Sequence, residues 1–96
     1  ATFSDNSVTV IKMRAFSDCT SLKKLTLPRG LETIGNEAFY NCKKLNLVTI
    51  PESVTSIGQN AFIGCAKNIT FIVTEGSYAE QWANKDGYKT KIVKAE

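Results

Sequence analysis

The chain has 96 residues, is 43% hydrophobic and 22% charged, and carries a net charge of +3. That size allows one domain, and that balance excludes a disordered or fibrous chain. No apolar run approaches the roughly 18 residues of a membrane helix, +3 is too little for a nucleic-acid face, and the complete lack of histidine removes most acid–base and nucleophilic schemes near neutral pH.

The opening segment, ATFSDNS, is polar and does not read as a signal peptide. Its one bulky apolar residue, Phe3, stands one place out of register with the strand column of Leu27. This end therefore reads as poorly closed. It is expected to be either a cut through a longer array or a contact through which two copies associate.

From Val8 onward the chain repeats itself at a constant interval of 23 residues. Ala15–Phe16–Cys19, Ala38–Phe39–Cys42 and Ala61–Phe62–Cys65 carry the same skeleton. Val8, Leu31 and Val54 align, as do Ile11, Ile34 and Ile57. So do Leu25, Val48 and Phe71, then Leu27, Ile50 and Val73. Leu22 and Leu45 share a column that Asn68 interrupts. Columns that stay apolar while their neighbours drift are buried columns, so each unit contributes one layer to a stacked core.

Each unit contains two extended pieces. The first, V-x-x-I, runs over Val8–Ile11, Leu31–Ile34 and Val54–Ile57. Gly35 or Gly58 follows and marks a tight bend, and Lys12 in the same column argues that the bend does not demand positive φ. The AFxxC segment reads as a single helical or 3₁₀ turn in which Phe and Cys share a face. The second piece, L-x-x-L-x-L, ends in the in-out-in alternation of a half-buried strand. Pro28 and Pro51 then stop it, because proline cannot donate to a ladder.

The pattern I-G-x-x-A-F-x-x-C-x-x-L-x-x-I-x-I-P, seen from Ile34 to Pro51, resembles the BspA-like class of leucine-rich repeats over about residues 8–74. The chain departs from that pattern at Lys12 for Gly, Asn68 for Leu and Thr74 for Pro. The expected fold is an α+β repeat, a right-handed solenoid of about three coils over 8–30, 31–53 and 54–74, in a single domain spanning 1–96.

Solenoids need capped ends. Residues 75–96 read as a helix-strand cap. Ser77 and Glu80 form a capping box that starts a helix at Tyr78, Ala79, Trp82 and Ala83 give it one apolar stripe, and Gly87 stops it. Tyr88–Val93 then reads as a last edge strand, blunted against aggregation by Lys89, Lys91 and Lys94. The stretch GSYAEQWANKDGYK also resembles the segment that commonly closes this family.

Three cysteines spaced this far apart, with no histidine, make no metal motif. They read as a ladder of small buried side chains, although stacking would bring neighbours within reach of a disulfide. Glu32, Glu37 and Glu52 fall in different columns and read as solvated, and Asp18 sits beside a cysteine without a base. Lys23–Lys24, Lys43–Lys44 and Lys67 precede the strands and read as a solvated, mildly basic rim.

The outward strand face carries two columns, Lys24–Leu47–Thr70 and Thr26–Thr49–Ile72. Leu47 and Ile72 are large apolar residues at positions whose period faces water, a pattern that marks contacts when such residues cluster. In leucine-rich repeats this face is the usual ligand surface, so the resemblance implies a protein-binding module of a bacterial cell-surface or secreted protein. The implied ligand is a protein, of host or matrix origin, with no nucleic acid, membrane insertion, metal or cofactor involved. The alternatives are a structural spacer carrying another active domain and a cysteine enzyme, against which stands the lack of a base.

Overall fold

The computed structural model describes residues 7–94. Three two-residue strands, β1 (Val10–Ile11), β3 (Thr33–Ile34) and β5 (Ser56–Ile57), pair in parallel in the order β1-β3-β5. A larger parallel sheet runs in the order β2-β4-β6-β7, from β2 (Lys24–Thr26), β4 (Leu47–Ile50), β6 (Thr70–Thr74) and β7 (Lys89–Val93). One helix, α1 (Tyr78–Lys85), connects β6 to β7. The register sets Leu25 beside Val48 and Val48 beside Phe71, so each apolar column of the repeat becomes one row of the core. The result is a leucine-rich-repeat solenoid of about four turns, one for each strand of the larger sheet.

Strand length follows from the residue after it. Pro51 ends β4 at Ile50, whereas Thr74 keeps its backbone N–H and β6 continues through Thr74. That extra residue pairs with Val93, and the Glu75 N–H then bonds the Val93 carbonyl at 2.7 Å.

The AFxxC segments are turns rather than short helices. Bonds of the i→i−3 type close them, as from Ala38 N–H to the Gly35 carbonyl and from Tyr40 N–H to the Glu37 carbonyl. These bonds are not consecutive, because the intervening N–H groups point to the next coil. Phe16 N–H reaches the Ala38 carbonyl and Phe39 N–H the Ala61 carbonyl, both at 2.8 Å. The geometry needs left-handed backbone at two columns. Arg14, Glu37 and Asn60 form one, with φ between 56° and 59°. Asp18, Asn41 and Gly64 form the other.

Gly35 and Gly58 are required by crowding, not by φ. A Cβ on Gly35 would lie 2.6 Å from the Met13 nitrogen, and one on Gly58 would lie 2.5 Å from the Asn36 nitrogen. Lys12 occupies the same column in the first coil, where no described coil lies behind it to crowd the Cβ.

The gap at Asn68 is corrected by its neighbour. Asn68 is exposed and Ile69 is buried in its place. Leu45 N–H bonds the Cys42 carbonyl, but Ile69 N–H bonds the Ala66 carbonyl, so the third turn closes one residue later while β6 still begins at Thr70, in register with Leu47. Burying an amide without a partner would cost on the order of 1–3 kcal/mol, which favours this slip.

Down the centre, Phe16, Phe39 and Phe62 stack face to face at 5.4 and 5.1 Å with their planes within 6°. The stack ends in edge-on contacts among Phe62, Phe71, Trp82 and Tyr88. Ala79 and Ala83 are fully buried and let α1 approach closely. Ser77 caps the helix as expected, its Oγ accepting from Glu80 N–H at 3.2 Å. The return arm differs from a capping box by one residue, since Glu80 Oε1 accepts from Gly76 N–H at 2.7 Å. Gly87, with φ of 76°, follows the C-cap Asp86 and ends the helix. Phe3 and the first six residues lie outside the described residues.

Candidate functional site

The parallel register determines which outward side chains meet. Lys24 stands beside Leu47 and Leu47 beside Thr70, and in the next row Thr26 stands beside Thr49 and Thr49 beside Ile72. All six residues singled out in the sequence therefore lie on one face of the larger sheet. Leu47 and Ile72 are half-buried there, shielded by neighbouring strands, while Lys24 and Thr26 on β2 are exposed.

The structure adds two residues to this face. Lys89 continues the first row beside Thr70, and Lys91 continues the second beside Ile72. The repeat interval could not reveal them. The last turn spans 19 residues from Thr70 to Lys89, so a comb with teeth every 23 residues passes them by. With them, an apolar and hydroxyl-bearing centre is bounded by lysines on both edge strands. The larger exposed apolar side chains lie elsewhere, with Tyr40 at 40% and Ile63 at 47% exposure adjoining on the turn side. The 23-residue interval between those two was readable, but nothing in their type separated them from core.

Polar side chains tie successive turns together. Arg14 Nε donates to Glu37 Oε1 at 2.7 Å, so Glu37 is paired with the coil before it rather than simply solvated. Asn41 Nδ2 donates to Asp18 Oδ1 at 2.8 Å, and Asn36 Oδ1 accepts from Gln59 N–H at 2.8 Å. Exposed pairs of this kind contribute little stability each, and their effect is to hold the spacing of the turns.

The cysteines form a ladder directed at backbone. The Cys42 thiol donates to the Phe16 carbonyl at 3.1 Å and the Cys65 thiol to the Phe39 carbonyl at 3.4 Å. All three are free, Cys42 is buried, and Cys19 and Cys65 are half-buried. Burial raises the Cys42 thiol, and burial with the adjacent Cys42 pushes Cys65 up to about 12. Such thiols are held neutral, the opposite of an activated nucleophile. Among the described residues no group of histidine, cysteine, aspartate or glutamate side chains could hold a metal ion.

Open clefts indent the molecule, and three bear on the face and its ends. One, of about 550 Å³, lies beside Phe16, Cys19 and Leu22 and includes Lys24. The other two, of about 470 and 310 Å³, flank the third turn, and neither contains any of the six face residues.

A row of parallel rungs joined by tight turns, with a regular outward face and neutral buried thiols, defines a leucine-rich-repeat scaffold. The family described as BspA type leucine rich repeat region (6 copies) matches residues 2–83, and the chain belongs to it. That membership suggests a protein-interaction repeat module, and solenoids of this kind are in general non-catalytic scaffolds. No curated protein and no solved structure matches the chain. No helix among the described residues is long and apolar enough to cross a membrane.

Proposed function

We propose that this chain is the protein-binding part of a bacterial cell-surface or secreted protein, adhering to host or matrix proteins through the outward face of β2-β4-β6-β7. The observation that carries this reading is the register, which groups Leu47, Thr49, Thr70 and Ile72 between lysines at 24, 89 and 91. A partner that fits has a small apolar contact bordered by acidic groups. The sheet holds these side chains in place before contact, which lowers the ordering cost of binding.

The test is a binding screen of the fragment against extracellular-matrix and serum proteins, beside a Leu47→Glu/Ile72→Glu variant. The expected result is a partner whose affinity falls at least ~tenfold in the variant, about 1.4 kcal/mol, with circular dichroism unchanged. A partner bound equally by both proteins would remove the sheet face from the account. No partner for either would favour a spacer.

A further inference from the structure

The backbone bonds between turns run in one direction. Arg14, Phe16 and Asp18 donate their N–H groups to the carbonyls of Asn36, Ala38 and Tyr40 at 2.8–3.0 Å. Glu37, Phe39 and Asn41 donate in the same way to Gln59, Ala61 and Ile63 at 2.8–2.9 Å. The next members of the series are Asn60, Phe62 and Gly64. Where a further copy of the repeat would supply carbonyls, α1 stands instead, and its carbonyls from Tyr78 to Asn84 accept from its own turns and from the cap that follows it. None of these three N–H groups has an acceptor among the described residues. One belongs to Phe62, a residue only 2% exposed overall, and backbone donors in native folds nearly all find a partner, in protein or in water.

The groups open onto a groove. The cleft between the third turn and α1 and the cleft between that turn and the start of β7 share Phe62, Ile63 and Tyr88, so they adjoin along the open edge. Lys85 and Asp86 line the first and Lys67 and Lys89 the second, three cations against one anion. One donor of this end is already satisfied in a way that imitates a further rung: on the edge strand β5, Ile57 N–H donates to the Tyr78 hydroxyl at 3.2 Å.

An extended chain presents carbonyls on one side at every second residue, the spacing of these donors, and its side chains alternate likewise. We propose that the groove binds an extended acidic peptide segment of another protein, its carbonyls accepting from Asn60, Phe62 and Gly64 and its carboxylates facing Lys67, Lys85 and Lys89. This site meets the outward face of the larger sheet at Lys89, which borders both, and does not depend on that face's apolar centre.

The test is nuclear magnetic resonance titration of the chain at physiological ionic strength with a short peptide alternating Glu and Val, and with its Lys-Val counterpart. The expected result is downfield movement of the Asn60, Phe62 and Gly64 amides with the acidic peptide alone. The affinity should fall ~tenfold in a Lys67→Gln/Lys85→Gln variant and should persist in Leu47→Ser/Ile72→Ser, which alters only the sheet face. Absence of binding, equal movement with the Lys-Val peptide, or movement confined to residues around Lys24 and Lys91 would overturn the proposal. Movement of the three amides on concentrating the protein alone would also overturn it, by placing a second copy in the groove.

Discussion

Cys65 illustrates how the stack governs a single side chain. Its thiol lies against the Phe39 carbonyl of the preceding turn, and burial keeps it protonated up to about pH 12. Cys42 is raised for the same first reason, and so is Tyr88. A group whose folded pKa lies above its unfolded value stabilises the fold fully below the unfolded pKa and loses that contribution as pH rises through the folded one. The unfolded chain releases thiol protons above about pH 9, while the folded chain holds them. The urea midpoint should therefore be flat below about pH 8 and decline as pH climbs toward about 12. In Cys42→Ala/Cys65→Ala the decline should be shallower, with Tyr88 accounting for part of what remains. Iodoacetamide should label Cys42 and Cys65 only when the chain unfolds, and rapid labelling of either in the native protein would contradict the buried ladder. The periodicity identified this column as packing. It did not show that each thiol donates to the preceding turn, because the direction of a side-chain bond leaves no trace in spacing.

At the scale of the element, the turn is where sequence and structure part company. The three AFxxC segments announced a turn, and the apolar columns located its buried face. Left-handed backbone at Arg14, Glu37 and Asn60 was not legible, since those residues share no chemistry and only Asn favours that region. At Asp18, Asn41 and Gly64 the signal existed, as these types do tolerate it, but it was spread over a whole repeat. The glycine column was read as a bend, and it proves to be a point of contact between coils. Gly35→Ala puts a methyl group against the Met13 nitrogen, which cannot move without opening the turn above it. We expect a loss of about 1–3 kcal/mol by urea denaturation, the usual penalty for overpacking. A variant as stable as the parent would mean that the coils slide apart freely. The slip from Asn68 to Ile69 was illegible for another reason: a fixed interval cannot register a turn that closes one residue late before a strand that keeps its place.

Across the whole molecule, each layer touches only its neighbours, so stability passes along the stack in steps. Phe39 is the middle ring of three and is fully buried. Phe39→Ala should cost about 3–5 kcal/mol, from lost burial and the cavity left behind. Trp82 reports from the far end, because its ring meets Phe62 and Phe71 at 5.7 and 5.0 Å. Its fluorescence and the circular dichroism of the strands should fall at one urea concentration in the parent. In the variant they should separate if the middle layer is the link between the ends. A loss under about 1 kcal/mol would place Phe39 outside any layered core. The solenoid, its cap helix and the outward face were all readable at this scale, because repetition multiplies a weak signal. The last edge strand and its lysines were readable too, but their rows on the outward face and the groove beside α1 were not, because both arise where the repetition stops.

The outward face is also a gauge of length. Lys24 on β2 and Lys89 on β7 are three strand spacings apart, roughly 14 Å. Each additional copy of the repeat placed between them would widen that gap by about 4.8 Å without altering either rim. The distance between two charged margins is thus counted in whole rungs, and a partner matched to one count would be out of step with the next.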